Sequence, residues 1–225
     1  GSPVGTNFLV RFSHVDRQTG RPVYLDINGN PTMEWTPDDR VPVGDVLPDA
    51  IGGINNTFTY KGFDFSFLFA FVIGGDIYDS SSKRQLGVMS IQDGLWNMTP
   101  HIFDRWQQPG DNARYPRLTT ENANLGSTTP WINTDLWLHD GSFLRLRNVT
   151  FGYTFPKAKV ESWKLDGLRI YFVGTNLLTF TRFPGLDPEI ARDFENATDR
   201  NMSPNITYLT PPQEQTFSIG VDIQF

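Results

Sequence analysis

Five phenylalanines occupy every second position from Phe63 to Phe71 in "FDFSFLFAF", with Asp64, Ser66, Leu68 and Ala70 between them. Side chains alternate across a β-strand with period two, so this stretch presents one wholly aromatic face. The final stretch "TFSIGVDIQF" repeats the arrangement. Phe217, Ile219, Val221, Ile223 and Phe225 alternate there with Ser218, Gly220, Asp222 and Gln224. Faces of this kind need cover, either a protein core or lipid.

Six segments read as strands: Thr6 to Val15, Ile54 to Tyr60, Phe63 to Phe71, Ser142 to Phe155, Leu168 to Asn176 and Phe217 to Phe225. In the fourth, Leu144 and Leu146 run in one phase while Val149, Phe151, Tyr153 and Phe155 run in the other, which predicts either a bulge or a departure of the strand from the membrane-level sheet. The second and third are joined by about two residues and the fourth and fifth by about a dozen, whereas the other connections run to about 35, 70 and 40 residues. Short and long alternate. Compact soluble domains seldom carry loops beyond about 15 residues. Outer-membrane barrels alternate short periplasmic turns with long extracellular loops, and their tilted strands need about 9–11 residues. The pattern alone leaves two folds open, a transmembrane barrel and a soluble β-sandwich that serves as a carbohydrate-binding module.

Composition excludes more than it selects. Phe, Tyr and Trp number 18, 7 and 6, and Gly and Pro are plentiful, which favours short strands and turns over helices. A net charge of −6 argues against nucleic-acid binding. The absence of Cys removes disulfides, thiolate nucleophiles and Cys-based metal sites. No run is long and apolar enough for a membrane helix, and the opening "GSPVGTNFLV" has no signal-peptide pattern.

Candidate chemistry is sparse. "DINGN" (Asp26 to Asn30) has alternating oxygen ligands but lacks the distal Glu of a calcium loop, and Asn28-Gly29 reads as a turn. Asp187 and Glu189 stand two apart in "GLDPEI" and read as a turn rather than as a glycosidase pair. His14, His101 and His139 are scattered, and no nucleophile elbow or phosphate-binding glycine loop is present. The expectation is therefore no enzyme, no metal and no cofactor. The segment Gly94 to Leu118 is richest in recognition side chains. Trp96, Arg105, Trp106 and Tyr115 there are candidates for contact with a substrate or a lid protein, although packing of the loop on itself accounts for most such aromatics. "PHIFDRW" is expected to form a short helix with Ile102, Phe103 and Trp106 on one face. Asp64 and Asp222 fall on polar strand faces.

Four stretches carry a resemblance: "HVDRQTGRPVYLDINGN", "GGINNTFTYKGFDFSFLF", "DGSFLRLRNVTFGYTFP" and "LRIYFVGTNLLTFTRFPGLDPE". In this order they resemble the C-terminal portion of the SusC/RagA-like TonB-dependent outer-membrane transporters, and "TFSIGVDIQF" is similar to the family's last strand. The resemblance implies an all-β fold: about six C-terminal strands of an antiparallel transmembrane barrel of about 22. Residues 1–225 would be that part of a multi-pass outer-membrane importer of oligosaccharides or peptides. The plug and the TonB-contacting segment would lie in the remainder of a longer polypeptide. Implied partners are a SusD-like lipoprotein lid, the remaining barrel and plug, the TonB complex and outer-membrane lipid. With the C-terminus periplasmic, the segments from about Asp16 to Ile51, Asp76 to Gly141 and Leu178 to Thr216 would face outward. The alternating residues Phe217, Ile219, Val221, Ile223 and Phe225 would then be the signal read by the barrel-assembly machinery.

Overall fold

The computed structural model describes residues 1–87, 99–117, 133–190, 205–207 and 211–225. Its strands are β1 (Thr6–Val15), β2 (Pro22–Leu25), β3 (Pro31–Thr32), β4 (Arg40–Asp45), β5 (Pro48–Tyr60), β6 (Phe63–Gly74), β7 (Asp76–Asp79), β8 (Leu138–Asp140), β9 (Phe143–Thr154), β10 (Gly167–Thr181), β11 (Ile206–Thr207) and β12 (Thr216–Gln224). Two short helices, α1 (Ser80–Gly87) and α2 (Lys157–Val160), complete the main elements. The chain divides into two compact units.

One unit comprises Pro48–Gly74, Gly141–Arg182 and Pro212–Phe225. It is a five-stranded antiparallel sheet in the order β12-β10-β9-β6-β5. These strands hold 13, 12, 12, 15 and 9 residues in chain order, enough in each case for the roughly 9–11 that a tilted membrane strand needs. Register makes the two faces chemically distinct. Phe58, Phe65, Phe151, Phe172 and Ile219 form one row across all five strands, and Tyr60, Phe63, Tyr153, Ile170 and Val221 form the next. The opposite face carries Thr57, Ser66, Thr150, Val173 and Ser218 in line. On the apolar face Phe58 is 57% exposed, Phe151 47% and Ile219 79%. No second sheet within this unit covers those rings.

The phase switch in the fourth predicted strand is a bulge. Leu68 pairs with Asn148 and Phe69 with Leu146, so Arg147 is the extra residue, and on the other side the register slips between Thr175 and Leu178. Asn176 takes φ 54° at that slip, a left-handed conformation that Asn accepts more readily than most residues. The bulge turns Leu144 and Leu146 onto the face already occupied by Val149, Phe151 and Tyr153. A tight turn joins β5 to β6. Lys61 and Gly62 have φ 47° and 88°, the positive pair that a type I′ hairpin requires.

One expectation needs correction. The segment Thr6–Val15 is not a strand of the large sheet. It lies in a four-stranded sheet of order β3-β2-β1-β4, so the large sheet has five strands rather than six. The reason is local: Leu9 and Val10 are adjacent and both buried, which defeats two-faced alternation, and the following turn supplies a hairpin partner in β2 while β4 returns to pair with the other edge. The large sheet is open, with β12 and β5 at its edges.

The other unit gathers Gly1–Leu47, Gly75–Asp140 and Phe183–Pro211. Its core contains Leu9, Tyr78, Ile102, Tyr115 and Trp137, with Val10 and Tyr24 forming a second cluster. A three-stranded sheet, β11-β7-β8, ties the distant segments together. The Phe12 amide donates to Asp135 Oδ1 at 2.7 Å and the Val10 amide to the Asn133 carbonyl at 3.4 Å.

Candidate functional site: a closed loop and a polar sheet face

The stretch 99–117 is built as a closed loop. A 3₁₀ turn, Pro100–Asp104, buries Ile102, while Phe103 is 73% exposed and Trp106 lies beyond the turn, so the three side chains do not share one helical face. The Trp106 amide donates to the Tyr115 carbonyl and the Arg114 amide to the Asp104 carbonyl, closing the loop. Asp111 Oδ2 accepts the amides of Gln107 and Gln108, each at 3.0 Å. The loop then clamps the β1–β2 turn: Trp106 Nε1 donates to the Arg17 carbonyl at 2.9 Å, and the Gly110 amide donates to the same oxygen at 2.8 Å.

Of the four candidate contact residues, Tyr115 is 8% exposed and stacks on Trp137 with ring centroids 5.8 Å apart. Trp106 is half-buried and lies flat on Gly20, where a Cβ would meet its ring. Arg105 is half-buried and forms a bridge with Tyr115, and Trp96 lies outside the described residues. The loop therefore brings Arg105, Trp106 and Tyr115 into one neighbourhood. Gly20 has φ 69° as well as that ring above it, so Gly20→Val is doubly unfavourable. A cost of about 1–3 kcal/mol is expected from the overpacking alone. The measurement is the rate of protease cleavage within 104–117, which is expected to rise in the variant.

A pocket of about 430 Å³ opens in the same unit beside Asp79, Ser82, His101, Phe183, Leu186 and Asp187. Its carboxylates act as structural acceptors. Asp79 Oδ1 takes the Ser82 amide at 3.0 Å and the Thr207 hydroxyl at 2.9 Å, and Asp187 Oδ1 takes the Glu189 amide at 2.9 Å. Asp187 and Glu189 are thus a turn. "DINGN" is likewise a turn: Asp26 accepts the Asn30 amide at 2.8 Å and its side-chain amide at 3.1 Å. Among the described residues no group of three or more acidic, His or Cys side chains is arranged to hold a metal. Burial pushes the His139 imidazole below its ordinary range, against the opposing charge of Asp79. Burial also raises the Asp76 carboxyl, opposed by the Asp45 amide that donates to it.

On the polar sheet face the structure assembles a charge cluster. Arg169 donates to both oxygens of Asp64 at 3.2 and 2.7 Å and lies 3.6 Å from Asp222, with its guanidinium 4.8 Å from the centre of the Tyr171 ring. Gly152 makes room for it, since a Cβ there would meet Asp64 Oδ1 at 2.6 Å and Arg169 Nη2 at 2.8 Å. Tyr171 in turn lies across Gly220. Arg169 was not singled out from the sequence, although the signal was present: Arg169, Tyr171 and Val173 alternate with Leu168, Ile170 and Phe172. Phe217, Ile219, Val221, Ile223 and Phe225 are all exposed on the apolar side of the terminal strand.

No family model matches the chain. Curated relatives do. TonB-dependent receptor P3 of Formosa agariphila is 30% identical over 210 residues, which is 93% of this chain and 19% of that protein. TonB-dependent receptor SusC of Bacteroides thetaiotaomicron is 28% identical over 227 residues, 97% of this chain and 19% of that protein. Among solved structures, a chain of the RagAB peptide importer in its open-open state superimposes with a TM-score of 0.76 at 19% identity, covering 98% of this chain and 22% of its own. A second RagAB peptide transporter structure gives 0.75 at 21% identity, with 98% and 23% covered. The fold is therefore that of a portion of such a chain. TonB-dependent receptors are outer-membrane transporters, not enzymes. Over nearly all of its length the chain is homologous to SusC-type TonB-dependent receptors, of which it spans about one fifth.

Proposed function

We propose that this chain is the C-terminal part of the β-barrel of a TonB-dependent nutrient importer. Its five-stranded sheet forms wall, the polar face lines the lumen, and the unit built from the long connections faces outward. The remaining barrel, the plug and the TonB-contacting segment belong to the rest of that protein. A SusD-like lipoprotein pairs with it as lid, and the cargo is an oligosaccharide or a peptide. Arg105, Trp106, Tyr115 and Trp96 belong to the outward loop, and the apolar face of β12, Phe217 to Phe225, is where the barrel-assembly machinery engages.

One observation carries this reading: apolar rows, largely aromatic, run unbroken across five strands of membrane-spanning length with most of their side chains exposed, as lipid-facing side chains are. A sandwich would need a second apolar sheet on those rings.

Cysteine labelling tests it, because this segment contains no native Cys. In the full-length protein in intact outer membranes, Ser66→Cys and Ser218→Cys are expected to react with a small water-soluble maleimide. Phe65→Cys and Ile219→Cys are expected to react only with a lipid-soluble one. Equal aqueous labelling of both faces would refute a lipid-facing sheet.

A further inference from the structure

The chain has only five lysines, and four of them, Lys61, Lys157, Lys159 and Lys164, stand in the two short turns of the five-stranded sheet. All four are exposed. Antiparallel pairing puts both turns at one end, and the Thr154 amide donates to the Gly62 carbonyl at 2.8 Å, which holds the first turn beside the start of the second. Two carboxylates accompany them: Glu161, 3.9 Å from Lys157, and the exposed Asp166. Four cations against two carboxylates leave the two turns with an excess of two positive charges in a chain of net charge −6.

An aromatic string runs through the same end on the apolar side. Phe63 meets Tyr153 at 4.5 Å, Tyr153 meets Phe155 at 4.9 Å, and Phe155 meets Trp163 at 6.1 Å. Tyr60 is 69% exposed with the Lys61 ammonium 5.1 Å from its ring centre, and Trp163 is 54% exposed. Rings with an apolar body and a polar tip favour the boundary between hydrocarbon and water. Lysine reaches outward from that boundary on an apolar stem.

We propose that this end is a collar for phospholipid headgroups, in which Tyr60, Tyr153 and Trp163 seat at the hydrocarbon boundary and the four lysines bind lipid phosphates in the periplasmic leaflet. The proposal rests on the barrel reading above. It commits to lipid because the cations ring an apolar edge rather than line a cavity. Anionic headgroups complement an excess of cations, and each basic residue near an anionic surface strengthens attachment several-fold.

The test uses the full-length transporter purified from outer membranes in mild detergent. Retained lipid is read by native mass spectrometry, and the thermal midpoint is followed as phosphatidylglycerol, phosphatidylcholine or inorganic phosphate is added. Phosphatidylglycerol is expected to be retained and to raise the midpoint, with little response to phosphatidylcholine and none to inorganic phosphate. Lys61→Gln/Lys157→Gln/Lys159→Gln/Lys164→Gln is expected to lower retention by on the order of tenfold. Lys157→Gln/Lys159→Gln and Lys61→Gln/Lys164→Gln provide milder variants, each expected to lose part of the shift. Unchanged retention in all three variants overturns the collar while leaving the barrel intact. So does an equal response to inorganic phosphate, or loss of lipopolysaccharide in place of phospholipid. Wild-type protein missing from the outer-membrane fraction overturns both readings.

Discussion

Arginine in place of Phe151 and Ile219 is expected to lower the amount of full-length protein in the outer membrane, whereas arginine in place of their neighbours Thr150 and Ser218 leaves assembly intact. Phe151 and Ile219 lie in the same apolar row, separated only by Phe172. Thr150 and Ser218 lie in the corresponding polar row, separated only by Val173. The two pairs are therefore matched in strand and depth and differ in face. A lipid-facing Arg costs about 2–4 kcal/mol at the bilayer midplane and less toward the interface, and this row lies next to that of Tyr60 and Tyr153, so two such changes take up to a few kcal/mol from a net stability of about 5–15 kcal/mol. Lumen-facing Arg keeps its water and tunes selectivity instead. The measurement is outer-membrane abundance, with heat-modifiable gel migration reporting the folded barrel. Normal abundance of the Phe151→Arg/Ile219→Arg variant would mean that the face is not in lipid.

That face was legible in the sequence because period two is a local property. The five phenylalanines from Phe63 to Phe71, the terminal alternation and the bulge near Arg147 need only neighbouring residues to be read. Strand one was misread for the converse reason. Its mixed pattern contains apolar residues in adjacent positions, and nothing in "TNFLVRFSHV" says that Val10 will be buried beside Tyr24, or Leu9 near Trp137. Such contacts join residues far apart in the chain. The same limit applies to Tyr115 and Trp106. Sequence shows that they are aromatic and in a long loop, but only the fold shows one stacked on Trp137 and the other laid across Gly20. Arg169 was recoverable from alternation within its own strand. Its pairing with Asp64, 105 residues away, was not.

Replacing Trp137 with Ala is expected to loosen the unit that carries the loops while the barrel still assembles. Trp137 is 2% exposed, sits at the start of the chain leading into β8, and stacks almost parallel on Tyr115, with 9° between the rings. Leu9, Tyr78 and Ile102 share its cluster, which joins β1, β7 and the 99–117 loop. Truncating a buried Trp to Ala costs about 3–5 kcal/mol, the transfer term plus the cavity left behind. A unit assembled from separate segments of chain has closure entropy to overcome before its contacts form, so a loss of that size opens it. The five-stranded sheet has its own pairing and its own rows, none of which includes Trp137. The expected outcome is therefore asymmetric: normal outer-membrane abundance, rapid external protease cleavage within 99–117, and reduced uptake of cargo. Trp137→Phe keeps a ring against Tyr115 and is expected to restore most of the protease resistance. Wild-type resistance in the Ala variant would show that this core does not hold the loops in place. Loss of the protein from the membrane would show that this unit is required for the wall to form.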